Sequence, residues 1–532
     1  MPSLRHRLQA RAVCSLLALA PGALAQEPAA TTHASSLLAR LPDACIAVAS
    51  VPDPVAAVAR IGEALGEVPA ELPEEQRALI GIGLLALPRI LGGTPAELAE
   101  RLGKGGMALG LVLDGAAPAV VAVAQPGDVD AAIEWVRTKP QLRWRREGGT
   151  LLLASTVGAL GRFDAAQPTG AWAGRFGGAA PATAVALVEL DLVRVRELQG
   201  EAATAQPEGF GAALLFPGLV AAGKVANTLR LELHGGEELR IEAALGALED
   251  AGAIAALANG FRARAVPTVD DRFLLYASLD RSLHALFGGA AGDGALAQDA
   301  AVSGFLATAD LLDGPNSFVD GLLGRLEEPI HLMVFETPPA SAGEPMFVLP
   351  GLALAARMKD AKVAEVMEQV LGFVNIIGNA ERGQRNQQPF LIERLADGEA
   401  RGLTSVMTDW RGPGLPPLEA AIQPTVLVQD DLLAVATTQD AARRALAALR
   451  GPSQQVEGDL LVVRGAPLAA SLERDLAPLV LARQLDEGET AEEARRFWTS
   501  AIVLLRELDG LRWGYGTRDG ALRAWLSLRR KR

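Results

Sequence analysis

Short apolar runs alternate with helical patterns and polar turns along most of the chain. Residues 44–53 form one such run, and residues 55–61 then repeat apolar positions at the spacing of an amphipathic helix. Apolar runs bounded by turn residues are typical of strands, and a three-to-four-residue apolar spacing is typical of helices. Because many of the runs follow one another as hairpins, antiparallel pairing is favoured. The pattern predicts an α+β fold, with a mainly antiparallel sheet covered by short helices.

The order of these elements occurs twice. After the strand and helix at 44–61, the first copy continues with a helix at 94–102, strands at 107–113 and 119–124, a helix at 128–136, a hairpin and helix at 142–163, a strand at 184–191 and a hairpin at 227–245. After a strand and helix at 272–287, the second copy continues with 316–326, 330–335, 347–355, 360–371, 425–449, 459–463 and 510–528. Such a repeat predicts two tandem homologous halves, 43–265 and 266–532, that pack together.

Local signals predict where some segments begin and end. Thr94, Pro95 and Glu97 have the spacing of a capping box with proline at the first helical position, and Gly103 is the expected stop. Gly235-Gly236 and Asp519-Gly520 predict tight hairpin turns. Residues 378–389 are polar and end in proline, so they are predicted to be irregular.

The first 25 residues have the features of an export signal. Arg5, Arg7 and Arg11 precede an apolar segment at 12–20, and Ala23-Leu24-Ala25 offers a cleavage site before Gln26. We therefore predict a signal peptide at 1–25, an N-terminal tail at 26–42, and a periplasmic or secreted protein. The signal could instead be retained as a short anchor. Beyond it, the best apolar stretch, 79–88, is far shorter than the roughly 20 residues that span a bilayer, so no integral membrane span is predicted after cleavage.

Composition limits the partners. The chain has 532 residues, of which 50% are hydrophobic, and 50 basic against 63 acidic residues give a net charge of −13. An acidic chain without a basic stripe is repelled by nucleic acid, so no nucleic-acid partner is predicted. After signal cleavage Cys45 is the one remaining cysteine, which excludes an intrachain disulfide and favours a small buried side chain. Oligomeric state is not determined by these data.

Catalytic and metal-binding patterns are weak. His33, His234, His284 and His331 are widely separated, and no zinc-ligand spacing or nucleophile-elbow motif occurs. His331 is interpreted as a hydrogen-bonded structural histidine. No catalytic residue, cofactor-binding residue or metal ligand is therefore predicted, and the protein is predicted not to be an enzyme.

Six aspartates lie where a strand pattern gives way to a helix pattern. The favoured interpretation is helix capping, in which a carboxylate accepts backbone N–H bonds of the first turn. The alternative is a Ca²⁺ site at one sheet edge, which would need six to eight oxygen ligands. The six are Asp53, Asp128, Asp191, Asp280, Asp360 and Asp440.

A resemblance is carried by the second half. The segment Leu352–Asp360 with its helix, the strand at 390–394, the hairpin at 424–438 and the helix at 440–449 follow one another in that order. This succession resembles an uncharacterised, DUF3352-like family of exported bacterial proteins with a domain of unknown function. The resemblance implies export and an α+β repeat fold, and it implies no catalytic residues.

Three functions follow from these observations. The first is a non-catalytic envelope or protein-interaction module with an envelope protein as partner, which an exposed apolar patch would favour. The second is a periplasmic carrier that binds an apolar or peptide ligand between the halves, which a large dry pocket there would favour. The third is a hydrolase with a dispersed site, which a convergent polar cluster in a cleft would favour.

Overall fold

A computed structural model describes most of the chain. The described residues are 36–65, 94–115, 117–165, 171–175, 184–199, 222, 225–235, 238–246, 263–270, 273–280, 282–287, 318–336, 350–384, 386, 389–406, 423–518 and 521–530. The predicted signal peptide at 1–25 lies outside them.

Strands dominate the architecture. Those of the N-terminal part are β1 (Ala47–Val51), β2 (Met107–Asp114), β3 (Ala117–Ala124), β4 (Arg143–Glu147), β5 (Thr150–Ala154), β6 (Ala184–Asp191), β7 (Thr228–His234) and β8 (Leu239–Gly246). Those of the C-terminal part are β9 (Ala263–Pro267), β10 (Phe273–Leu279), β11 (Leu326–Phe335), β12 (Gly351–Met358), β13 (Leu391–Asp397), β14 (Ala400–Val406), β15 (Thr425–Gln429), β16 (Leu432–Ala436), β17 (Ser453–Glu457), β18 (Leu460–Val463), β19 (Leu508–Arg518) and β20 (Ala521–Arg530).

Eighteen of these strands form one sheet, and every pairing is antiparallel. From one edge to the other the order is β4-β5-β3-β2-β1-β6-β7-β8-β20-β19-β18-β10-β11-β12-β16-β15-β14-β13. The final strands of the two parts meet in the middle, where Leu239 pairs with Leu528 and Leu245 with Leu522. We call this β8–β20 junction the seam. The prediction of an α+β fold with a mainly antiparallel sheet is confirmed.

A separate ribbon and short helices cover the sheet. The ribbon consists of β9 and β17. The helices are α1 (Pro54–Leu65), α2 (Pro95–Leu102), α3 (Val129–Arg137), α4 (Val157–Ala165), α5 (Ala171–Arg175), α6 (Leu192–Gln199), α7 (Leu283–Leu286), α8 (Phe318–Gly321), α9 (Lys362–Gln384), α10 (Gln439–Arg450), α11 (Gly465–Arg474), α12 (Leu476–Glu487) and α13 (Ala491–Glu507), with a 3₁₀ turn at Leu323–Arg325.

Both faces of the N-terminal part of the sheet are buried. On one face Leu109, Ala122 and Leu153 pack under α2 and α3, and on the other Val121 and Leu152 pack under α4 and α5. A strand covered on both faces needs apolar side chains at successive positions, which explains the continuous apolar runs of the sequence. In the C-terminal part, β15 and β16 are buried in the same way, against α10 on one face and α9 on the other.

The capping box and the helix stop are confirmed, whereas the predicted turn residues Gly236, Asp519 and Gly520 lie outside the described residues. The Thr94 hydroxyl accepts the backbone N–H of Glu97, the Glu97 carboxylate accepts that of Thr94, and α2 ends at Gly103. The hairpins 227–245 and 510–528 are the pairs β7–β8 and β19–β20.

Two predicted segments differ in the structure. Residues 378–389, predicted to be irregular, continue α9 as far as Gln384. The helix is extended because the Asn379 side chain both donates to the carbonyl and accepts from the N–H of Phe390, and the Arg382 guanidinium lies 4.6 Å from the Phe390 ring centroid. The helix predicted at 316–326 is instead α8 followed by the 3₁₀ turn, in its described part.

The predicted N-terminal tail is described from residue 36 onward. There Leu37, Leu38 and Leu41 are almost fully buried in the core beneath α4 and α5, so this stretch is part of the folded body. Within the described ranges, no helix combines the length and apolar character needed to cross a bilayer.

Candidate functional site

A cavity lies on one face of the sheet at the seam. Its volume is about 600 Å³, within the range of ligand pockets. Strands β8, β20, β19 and β18 form its floor, and β17 with the residues after β9 forms a wall. We call it the seam cleft. Its charged and amide-bearing lining residues are Glu238, Arg240, Glu242, Asp270, Gln454, Gln455, Glu457, Arg464, Asp509, Arg512, Arg523 and Arg529.

One row of side chains crosses the floor of the seam cleft. Arg240 of β8 pairs with Ser527 of β20, and Ser527 pairs with Arg512 of β19. Directly paired residues of an antiparallel sheet present their side chains on the same face, so the two arginines flank the serine. Ser527 is 2% exposed, and its Oγ has no hydrogen-bond partner among the described residues. The row therefore holds a buried hydroxyl between two cations.

Trp525 forms the next part of the floor. Its indole lies against Gly514, where an added Cβ would be only 2.2 Å from Nε1. The Arg240 guanidinium lies over the Trp525 ring, 4.7 Å from its centroid, and Arg240 Nε is 2.9 Å from Glu242 Oε1. A cation over an indole face is electrostatically attracted to it. Arg240 is therefore held in position above the sheet.

Charges of both signs line the cleft, and some are already paired. Arg529 Nε lies 2.5 Å from Asp509 Oδ2 at one end. Arg512 and Glu238 take part in no hydrogen bond or ion pair within the described ranges. The cleft thus offers one cation and one anion that are available to a ligand. Polar and apolar side chains both line the cleft, which suits the peptide of the predicted carrier function better than its apolar ligand.

Three possible metal ligands meet beside the cleft. Glu232 and His234 share one face of β7, Glu242 lies opposite Glu232 on β8, and one ligand atom of each lies within 4.8 Å of the others. However, Arg230 Nε is 2.8 Å from Glu232 Oε1, and Arg240 neutralises Glu242. A hydrogen bond with His234 is the main cause that lowers the pKa of Glu232. We interpret the group as an ion-pair network, since the neighbouring guanidinium groups oppose a further cation.

His331 belongs to a second polar group, buried beneath the β9–β17 ribbon. Its Nδ1 is 2.8 Å from the Tyr276 hydroxyl, and burial lowers the pKa of His331 to about 3, so the imidazole is neutral. Nearby, Arg264 lies 3.1 Å from Asp280 and donates to the carbonyls of Gly458 and Ser278. The interpretation of His331 as a hydrogen-bonded structural residue is confirmed.

The same buried group places a serine beside the histidine. Ser278 lies directly opposite His331, as a nucleophile and a base would, but the two residues are 0% and 6% exposed. Neither residue lines the seam cleft. The pair is therefore separate from the seam cleft.

The aspartates divide between capping and pairing. Asp53, Asp128, Asp191 and Asp360 accept first-turn backbone N–H groups at 2.9–3.1 Å. Asp280 instead faces Arg264, and the capping assignment of Asp440 is wrong because Thr438 is the N-cap of α10. Threonine two residues earlier has the extended backbone that a cap needs, whereas Asp440 is already inside the first turn. The aspartates are spread over separate helix ends, and they do not form a Ca²⁺ site.

Cys45 is an inert core residue. It is fully buried, and burial raises the pKa of its thiol to about 12. Its sulfur fills the space beside Gly110, where an added Cβ would be 2.6 Å from Sγ. The prediction of a small buried side chain is confirmed.

Comparison with known proteins gives no relative. No family model, curated protein or solved structure matches the chain. The resemblance to the DUF3352-like family therefore stays a prediction.

The sequence analysis did not find the residues of the seam cleft. Three arginines of the seam cleft lie on one face of β19 and β20, at positions 512, 523 and 529. In the sequence, arginines at such spacing are typical of a strand face exposed to solvent. The available signal was the pair of final hairpins. Because β8 of the first hairpin pairs with β20 of the second, the alternation of side chains along the strands brings these arginines and Arg240 onto one face of the sheet.

Proposed function

We propose that the protein is an exported, non-catalytic carrier that binds a short peptide in the seam cleft. The observation that carries the proposal is the pair of unpaired opposite charges, Arg512 and Glu238, in a cavity of about 600 Å³. A peptide with free termini has one ammonium and one carboxylate group, so its charges match those two side chains. The amides of Gln454 and Gln455 add donors and acceptors for peptide groups. An apolar ligand would leave all of these groups unpaired, which is costly.

The position of the cleft is consistent with the predicted duplication, which we also propose. The support is the strand order, since β4-β5-β3-β2-β1-β6-β7-β8 on one side of the seam matches β15-β16-β12-β11-β10-β18-β19-β20 on the other. In this correspondence β8 and β20 are equivalent strands that pair with each other across the seam. A cleft at such a junction is formed by residues of both copies, so it does not exist in either copy alone.

Hydrogen exchange tests the peptide-binding proposal. The purified full chain would be incubated with a pool of tetrapeptides built from Ala, Ser, Leu and Lys, in free-acid and in amidated form. We expect slower amide exchange in β8, β19 and β20 and no change in β15 and β16. Uniform exchange with and without the pool would overturn the proposal, as would protection that avoids the seam.

A cleft-filling variant makes the test specific. Gly510 pairs with Arg529 on the cleft face, and the nearest atom to an added Cβ, the Val463 carbonyl oxygen, is 3.8 Å away. Gly510→Phe therefore places a ring in the cleft without a backbone clash, and we expect it to abolish protection. Gly149→Phe, in the distant β4–β5 turn where an added Cβ meets nothing within 4 Å, is the matched control and should retain it.

A second candidate, an interaction module, is favoured by the outer edge of the sheet. Among the described strands β13 pairs only with β14, and Leu391, Ile392 and the nearby α9 residue Ile376 are 47%, 44% and 66% exposed. Unpaired strand edges add further strands readily. The partner we propose is a second copy of this chain. Directly opposite residues of two identical antiparallel edge strands lie on the same face, so pairing about Arg394, the centre of β13, would place Ile392 opposite Ala396 of the second copy, matching apolar character.

Sedimentation velocity over a range of protein concentrations tests this second candidate. We expect a dimer that is lost in Ile392→Lys and retained in Ile376→Ser, which removes an exposed apolar side chain outside the strand. A monomer at all concentrations, or equal dimerisation of both variants, would contradict it.

A further inference from the structure

The side chains of Arg240, Ser527 and Arg512 form a row across the floor of the seam cleft. We infer that this row is an oxyanion subsite that binds a carboxylate group of the ligand, and the inference rests on the peptide-binding function proposed above. The register of β8, β20 and β19 aligns the three side chains on the cleft face. Neighbouring strands are about 4.8 Å apart, so the two arginine Cα atoms are separated by roughly 10 Å, with the serine midway.

The donors of the row suit an oxyanion. A guanidinium is charged at all physiological pH values and carries N–H groups in a planar fork that matches the two oxygens of a carboxylate. Arg512 is exposed and takes part in no hydrogen bond or ion pair among the described residues, so its whole fork is available. Arg240 is fixed over Trp525 at 4.7 Å and supplies a second positive charge.

The buried hydroxyl is the observation that separates a ligand site from a solvated group of arginines. Buried polar atoms in folded proteins are nearly always hydrogen-bonded. Ser527 Oγ is buried and has no partner in the described part of the chain, although alanine would fill the same space without this cost. An oxygen of a ligand held between Arg240 and Arg512 would accept its hydrogen bond. The unsatisfied hydroxyl is therefore the third donor of the subsite.

The surrounding acids favour a singly charged group. Glu238, Glu242 and Asp509 line the same cleft, and their charges would repel a phosphate dianion more strongly than a carboxylate. The unpaired Glu238 also provides a position for an ammonium group of the same ligand. A peptide bound through its C-terminal carboxylate satisfies both requirements.

The test compares two tetrapeptide pools that differ only at the C-terminus, one with free carboxylates and one amidated. The readout is the pool concentration that gives half-maximal hydrogen-exchange protection in β8, β19 and β20 of the full chain. For the unmodified protein we expect the amidated pool to require at least a tenfold higher concentration. Inorganic phosphate at the same ionic strength serves as the third probe, and we expect it to compete weakly with the free-acid pool.

Substitutions in the row Arg240–Ser527–Arg512 test whether this row causes the preference for the free-acid pool. Arg512→Gln and Ser527→Ala should each reduce the difference between the two pools at least threefold, whereas Arg495→Gln should preserve it. Arg495 is an exposed arginine of α13 that takes part in no hydrogen bond or ion pair among the described residues, so it matches Arg512 outside the cleft. Thermal unfolding of each variant checks that the fold is retained, and Arg512→Gln, at an exposed position, keeps the test decisive if Ser527→Ala is altered in stability.

Different failures point to different proposals. Equal protection of the seam by both pools would overturn the carboxylate subsite and leave the peptide-binding function standing. A preference for the free acid that persists in both variants would also overturn it, as would binding of phosphate in place of the peptides. Absence of seam protection by either pool would overturn the binding function together with the subsite.

Discussion

The indole of Trp525 occupies the space that any side chain at Gly514 would need, since a Cβ there would lie 2.2 Å from Nε1 and 2.4 Å from Cε2. The two residues are paired across β19 and β20, so the contact is built into the register. The glycine thereby allows the tryptophan to lie flat on the sheet, where Arg240 covers it.

We expect Gly514→Ala to destabilise the protein by about 1–3 kcal/mol, because the indole must leave its position to admit the methyl group. Urea unfolding measures the change. Gly372→Ala is the control, since Gly372 lies inside α9 with nothing within 4 Å of an added Cβ. There alanine should stabilise the helix by up to about 1 kcal/mol. Equal effects of the two substitutions would contradict the contact.

Substitutions at Cys45 and Gly110 should have strongly non-additive effects on the free energy of unfolding. A Cβ at Gly110 would meet Cys45 Sγ at 2.6 Å, so we expect Gly110→Ala to cost about 1–3 kcal/mol. Cys45→Ala removes that sulfur, and the double variant should be more stable than the sum of the single effects predicts. A double-mutant cycle from unfolding curves checks this, and strict additivity would refute it. In the native protein, the raised thiol pKa of about 12 should make Cys45 unreactive to thiol reagents at pH 8.

His331 should make the protein less stable in acid. Its pKa is about 3 in the folded chain and 6.5 when unperturbed, mainly because burial disfavours the charged imidazole. Between these values the unfolded chain binds a proton that the folded chain does not, so stability falls as pH decreases from about 6.5 to 3. One proton corresponds to about 1.4 kcal/mol per pH unit within this window.

His331→Gln tests the assignment, since glutamine can still accept from the Tyr276 hydroxyl but does not titrate. We expect a lower stability at pH 7 and a shallower decline below pH 6. Guanidinium unfolding at several pH values gives both quantities. A decline as steep as that of the unmodified protein would show that other groups cause the acid sensitivity.

The capping assignments of α10 can be separated by two substitutions. The Thr438 hydroxyl accepts the N–H of Ala441, whereas Asp440 forms only an exposed ion pair with Arg444 at 3.5 Å. We expect Thr438→Ala to cost about 0.5–2 kcal/mol and Asp440→Ala less than about 0.5 kcal/mol. Thermal unfolding distinguishes them, and the reverse order would support the original aspartate cap.

Sequence patterns predicted the elements well where the information is local. The capping box at Thr94 and Glu97 depends on contacts three residues apart, and the strands of both predicted hairpins are close neighbours in the sequence. The extension of α9 was missed because it depends on Asn379 meeting Phe390, which follows the helix and lies on the path to β13. The Asp440 error has a local cause, since a threonine and an aspartate near a helix start give similar signals.

The candidate site could not be predicted from the sequence, for a different reason. The seam joins strands almost 300 residues apart in sequence, and nothing in the neighbourhood of Arg240 indicates that Ser527 and Arg512 will lie beside it. The register of two hairpins, and not any motif, creates the cleft. Alternating arginines on a strand are the residues that an exposed sheet face would also contain.

The hydrogen-bonded ladder across the seam has a mechanical consequence. Seven successive residue pairs, from Leu522 with Leu245 to Leu528 with Leu239, tie β8 to β20. A hinge-like opening about the cleft would break this ladder, so under the proposed function a ligand would exchange by displacement of the β17 wall or of the arginine side chains. The hydrogen-bonded ladder therefore holds the floor of the cleft in one arrangement. We expect a ligand to bind there with little movement of the backbone.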